Sequence, residues 1–137
     1  MIKEFKKEYA FLSNFYLCKI KILSRVFPSV EHAYQACKWN DIEWIETCEN
    51  PDIPPGLIKK ESHTIPLRED WDNVKLSFME KILRAKFSDP ELMRKLRMTG
   101  KQELQEGNWW GDTFWGVDYY QGGQNHLGKL LMKIRDE

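Results

Sequence analysis

At 137 residues the chain has the length of one domain, 1–137, and its 21 basic and 21 acidic side chains cancel to a formal net charge of zero. That balance excludes a global field drawing it to nucleic acid or a membrane surface, though not a local basic patch. Cys18, Cys37 and Cys48 form no C-x-x-C pair, and no histidine has a partner at ligand spacing, so reduced core thiols and no metal are expected. The opening MIKEFKKEY lacks the apolar run of a signal peptide, and no segment approaches ~20 apolar residues; a soluble cytoplasmic protein without a membrane partner is expected.

Residues 18–27, CKIKILSRVF, alternate apolar and polar side chains and predict a strand that could pair with IKEF at 2–5 in a small antiparallel sheet. Ser29 is an N-cap for a helix running through the Trp39–Trp44 region and ending before Asn50-Pro51. The proline-rich NPDIPPGLIKKESHTIPLRED reads as a wrapped connection. Asp70 then caps a helix from Trp71 to about Phe87, with Val74, Phe78, Ile82, Leu83 and Phe87 at helical spacing. Pro90 suits the first position of a short helix ending at Thr99-Gly100, and a last helix from near Asn125 carries Leu127, Leu130, Leu131 and Ile134. The sum is a helix-rich α+β domain.

Three polar-aromatic clusters carry the chemistry. FLSNFY at 11–16 sets aromatics on both sides of a Ser-Asn turn. In FPSVEHAYQACKW, Glu31, Tyr34, Gln35 and Lys38 recur at spacings of three and four, which stacks an acid, a phenol, an amide and an amine on one helical face. NWWGDTFWGVDYYQGGQN at 108–125 sets three Trp, two Tyr and one Phe among four Gly, with Asp112 and Asp118 as carboxylates. Aromatic rings offer flat faces to a base or sugar, and glycines let backbone approach a ligand. Each cluster also has a plainer reading: a packed structural corner for the last, a helix-dipole role for Glu31, a solvated side chain for Lys38.

Taken in order, these pieces resemble the NADAR (YbiA-like) family. The resemblance rests on FLSNFY, FPSVEHAYQACK, LREDWD at 67–72, M-x6-KF at Met79 to Phe87, and the C-terminal N-x-WGDxFWG and GxNxLGKLLMxIR. It spans nearly the whole chain and implies a YbiA-like α+β fold and a hydrolase of N-glycosidic bonds in ribosylated compounds. The substrates implied are ribosylaminopyrimidine phosphates of riboflavin synthesis, or ADP-ribosyl-guanine in nucleic acid or related compounds. Where the family carries an AK-x-x-GR segment, this chain has Lys59 at the lysine position and Glu61-Ser62 in place of Gly-Arg, so a phosphate contact is either missing or supplied by Lys60 or Arg68.

The resemblance puts the carboxylates of Glu31 and Asp112 at the reacting sugar, where charge builds at the anomeric carbon while a nitrogen leaves. Lys38 or Lys59 can instead attack the anomeric carbon and form a Schiff base. Trp110 and Trp115 would stack on sugar or base, and Asn14, Phe15, Tyr16, Tyr34, Gln35, Lys59, Arg68 and Asn125 complete the expected substrate contacts. Neither route requires a metal or organic cofactor. The Glu31–Gln35–Lys38 face is expected to line a cleft, with Ala33 and Ala36 turned to the core. A non-catalytic ADP-ribose- or nucleotide-binding module is the alternative, and a single-strand binder built on aromatic stacking is disfavoured by the acidic stretch from Glu43 to Asp52.

Overall fold

In the computed structural model, which describes residues 1–137, CKIKILSRVF is a hairpin rather than one strand. β1 (Ile20–Ile22) pairs antiparallel with β2 (Arg25–Phe27), and the turn at Leu23-Ser24 lets the apolar Ile20 and Phe27 meet as buried cross-strand partners. The chain divides into two compact units, one of Asn14–Lys86 and the other of Met1–Ser13 with Phe87–Glu137.

The first unit continues with α1 (Val30–Ala36), capped by Ser29, whose hydroxyl oxygen accepts the His32 amide at 3.1 Å. The helix stops earlier than its pattern predicts. Asp41 starts α2 (Ile42–Cys48) by accepting the Trp44 amide at 2.9 Å, because Asn40-Asp41 offers a stronger cap than the continuing helix offers bonds. The end of α1 is then satisfied from a distance: the Trp44 indole donates to the Gln35 carbonyl, and the Arg68 amide donates to that of Lys38.

The proline-rich connection holds a helix that its composition hid, α3 (Pro55–Glu61), which starts on Pro55 and buries Ile58. α4 (Trp71–Lys86) buries Trp71, Met79, Ile82, Leu83 and, unexpectedly for a lysine, Lys86. The Asp70 carboxylate receives the Arg68 guanidinium at 2.6 and 3.1 Å, an interaction the reading of Asp70 as a cap did not include.

In the second unit α5 (Pro90–Met98) is capped by Asp89, which accepts the Glu91 and Leu92 amides. The IKEF segment does not join the hairpin. Ile2 bridges Leu104, and the amides of Gln105 and Gly107 donate to the carbonyls of Ile2 and Lys3. A two-residue parallel ladder, β3 (Gly107–Asn108) with β4 (Val117–Asp118), precedes α6 (His126–Arg135). Arg135, near the end of α6, donates to the Gln102 carbonyl at 2.7 Å and to Thr99 Oγ1 at 3.2 Å, tying α6 to the turn after α5. No helix is long and apolar enough to cross a membrane.

Losing the Ser29 hydroxyl orphans a buried amide at the start of α1. Ser29→Ala is expected to destabilise by about 1 kcal/mol or more, read as a lower denaturation midpoint at unchanged m-value. An unshifted midpoint would show that the cap contributes nothing.

Candidate active site

The short helix α1 is buried on every side, so its polar face is not a solvated one. Glu31 is 6% exposed, in the first helical turn. Its amide donates to the Asn14 carbonyl at 3.0 Å, and its Oε1 accepts the Gln35 side-chain amide at 2.6 Å. That bond orients the Gln35 amide, with nitrogen toward the carboxylate, and leaves Gln35 Oε1 as a buried acceptor with no partner. The Asn14 side chain reaches Met79 Sδ through its nitrogen, and its Oδ1 is likewise buried without a partner. Two unanswered acceptors beside a buried carboxylate are costly in a purely structural core.

One turn further on, Lys38 lies over aromatic rings. Its Nζ is 5.5 Å from the Tyr34 ring centroid and 5.8 Å from that of Trp71, and those two rings pack 5.1 Å apart. Burial pushes the Lys38 amine below its ordinary pKa; the Glu31 carboxylate opposes this, while the positive charges of Lys59 and Lys75 add to it. Arg68 joins the group through its backbone bond to Lys38, and its guanidinium sits 5.0 Å over the Phe78 ring. Phe15 lies beside Gly56 in the first turn of α3. The unit Asn14–Lys86 therefore gathers a carboxylate, an amine made easier to deprotonate and an aromatic wall. This is equipment for acid–base or nucleophilic chemistry.

Three members of this surround were not assigned a role from the sequence. Trp71 entered only as the first residue of the helix after Asp70 and as part of the LREDWD block. Lys75 carries no motif. Lys86 lies inside the M-x6-KF block, but only its complete burial, with Nζ 5.6 Å from the Tyr16 ring centroid, separates it from the other lysines of α4. The cysteines stay bland: burial pushes the Cys37 thiol up to about 11 and that of Cys48 to about 12, which disfavours a thiolate.

Trp110, Asp112, Trp115 and Asn125 belong to the other unit. Asp112 Oδ1 accepts the amides of Phe114 and Trp115 at 3.1 and 2.9 Å, and its own amide and carbonyl are held by the Asn108 side chain. Trp110 is largely exposed, whereas Trp115 meets Phe114 edge-on at 4.8 Å. Both ends of the Asn125 amide are taken by backbone, Oδ1 by the Glu106 amide and Nδ2 by the Leu104 carbonyl.

Asp118 is the knot of this loop: it is buried and accepts amides from Gly111 at 2.7 Å, Tyr120 at 2.9 Å and Gln121 at 3.0 Å. The Tyr120 bond foremost, with those of Gln121 and Gly111 and against burial, holds its carboxyl below the usual carboxylate range. A depressed folded pKa means stability present above the unfolded value and lost as pH falls through the folded one. Asp118→Asn is expected to lower the thermal midpoint at neutral pH and to flatten its decline in acid. A variant with the wild-type acid profile would remove Asp118 as the knot.

Comparisons with known proteins place this geometry in context. The NADAR domain family profile matches residues 2–137. N-glycosidase YbiA of Escherichia coli (strain K12) is 34% identical over 132 residues, covering 95% of this chain and 82% of that protein. N-glycosidase Npun_R5314 of Nostoc punctiforme is 34% identical over 135 residues, covering 94% and 85%. Riboflavin biosynthesis protein VVA0006 of Vibrio vulnificus is 34% identical over 133 residues, but the chain spans only 36% of its length. The NMR structure of the E. coli protein YbiA superposes with a TM-score of 0.86 at 33% identity, covering 99% of this chain and 83% of that one.

Proposed function

This chain belongs to the NADAR domain family, and from that premise we propose that it is an N-glycosidase hydrolysing the bond between ribose and a nitrogenous base. The observation that carries the reading is the buried Glu31 carboxylate on α1 together with the Lys38 amine, two residues beyond the helix end and over the Tyr34 and Trp71 rings, where burial lowers its pKa. The names of the E. coli and N. punctiforme relatives support the reaction class. That of the V. vulnificus protein favours ribosylaminopyrimidine phosphates, beside ADP-ribosyl-guanine, as the substrate to try first.

In this reading Glu31 stabilises positive charge developing at the anomeric carbon and relays the proton that the departing base needs. A neutral Lys38 amine attacks that carbon as the carbon–nitrogen bond to the base breaks. The ribosyl-amine opens to an imine by releasing its ring oxygen, and water then hydrolyses the imine to the free sugar aldehyde and the amine. Tyr34 and Trp71 present ring faces that favour the cationic intermediate, and Arg68 or Lys59 supplies charge for a phosphate. Every group in this scheme lies in the unit Asn14–Lys86.

The test is a substrate panel. Purified protein is incubated with ribosylaminopyrimidine phosphate and with ADP-ribosyl-guanosine, and released base and sugar are separated by chromatography. Catalytic release from one of them is expected. Binding without release from either would support the non-catalytic module instead.

A further inference from the structure

Beside Glu31 lies a histidine that the scheme above does not use. His32 and Ser29 are both fully buried. Ser29 Oγ accepts the His32 amide at 3.1 Å and is 2.7 Å from His32 Nδ1, while His32 Nε2 is 2.6 Å from the Ile53 carbonyl oxygen. Elementary chemistry fixes the protons. A carbonyl oxygen can only accept, so Nε2 carries the hydrogen. In a neutral ring Nδ1 is then a bare lone pair, which the Ser29 hydroxyl fills. Each polar atom of the pair is used, and the ring's neutral form fits its burial, which lowers its pKa. A second proton on Nδ1 would face the Ser29 oxygen and displace the hydroxyl that bonds there.

The two ends of this relay reach different parts of the unit. One is the cap of α1, the helix that carries Glu31 and ends two residues before Lys38. The other is Ile53, immediately ahead of Pro54-Pro55, where α3 begins on its way to Lys59. Glu31 sits between two anchors, its own amide on the Asn14 carbonyl and its neighbour's ring on Ile53. An α-helix of seven residues holds its register poorly by itself, since helix formation is cooperative and short helices depend on tertiary contacts.

We propose that neutral, Nε2-protonated His32 is a positioning residue, which fixes the first turn of α1 against the segment leading into α3 and so sets Glu31 relative to Lys59. The inference rests on the N-glycosidase reading for its effect on rate, but its geometry does not.

The two amide side chains separate the ends of the relay. Gln places its nitrogen near the position of Nε2 and can still donate to the Ile53 carbonyl; Asn is too short to reach it. His32→Gln is expected to keep kcat within about 3-fold of wild type, and His32→Asn to lower it about 10- to 100-fold with KM shifted much less, the penalty of a slightly misplaced catalytic group. Equal kcat losses in both variants, or losses that track thermal stability alone, would overturn the proposal.

Two measurements need no turnover. Long-range proton–nitrogen spectra of the full chain are expected to show a neutral Nε2–H tautomer for His32, assigned by its disappearance in His32→Gln; a charged ring or an Nδ1–H tautomer at neutral pH would overturn it. Backbone amide shifts around Lys59 are expected to move in His32→Asn and to stay near wild type in His32→Gln, whereas changes confined to α1 would refute the tether. If the wild-type protein released no base from any substrate, the N-glycosidase reading would fail while these spectra still decided the role of His32.

Discussion

Glu31→Gln lowers turnover by at least ~10²-fold on whichever ribosylated substrate the wild-type protein cleaves, the usual consequence of removing a general acid–base group. The substitution is conservative where it needs to be. Its carbonyl oxygen can still accept the Gln35 amide that reaches Glu31 Oε1 at 2.6 Å, and its backbone can keep the bond to the Asn14 carbonyl. What disappears is the charge, and with it the stabilisation of an oxocarbenium-like state. Because a buried carboxylate is costly to desolvate, the variant is expected to be at least as stable as wild type. The measurement is kcat beside a denaturation midpoint. Wild-type turnover in Glu31→Gln would sink the assignment, and a fall in both quantities together would assign Glu31 to the core.

Lys38→Arg loses at least ~10³-fold in turnover if the amine is the nucleophile, since removal of an attacking group costs orders of magnitude more than loss of a binding contact. Arginine preserves the charge over Tyr34 and Trp71 but stays protonated and cannot attack. Borohydride added during turnover is expected to leave a reduced sugar adduct on the peptide containing Lys38; an adduct on the Lys59 or Lys86 peptide would move the nucleophile there. The pH profile gives a separate readout. The amine must be neutral, and burial lowers its pKa, with help from Lys59 and Lys75 and against Glu31. Activity is therefore present above the lowered value and lost as pH falls through it. Removing one like charge, in Lys59→Gln, relaxes that shift and is expected to move the acidic limb to higher pH. Fully active Lys38→Arg and Lys59→Arg enzymes with no trapped adduct would rule out the covalent route and leave Lys38 as a partner for substrate phosphate.

Local signals determined a good part of this protein. Ser29 and Asp89 cap helices because their side chains suit free amides, and Pro55 and Pro90 begin helices because they lack an amide to satisfy. Of these, Ser29 and Pro90 were legible as a cap and a helix start, whereas Pro55 was hidden by the prolines around it. The 3–4 spacing of Glu31, Tyr34, Gln35 and Lys38 put four polar groups on one face, and the order of the motif blocks pointed to the NADAR family.

What lay beyond the sequence depended on neighbours distant along the chain. Helical spacing tells which residues share a face but not which faces are covered, so burial on all sides of α1 became visible only once its surroundings were folded around it. The same holds for Lys86, an ordinary lysine by sequence and a fully buried one by packing. Asp118 and His32 owe their roles to backbone groups up to 21 residues away, Ile53 among them. Main-chain amides and carbonyls are alike at every position, so no pattern of side chains announces which of them a buried carboxylate or imidazole will meet; only the tertiary structure decides that.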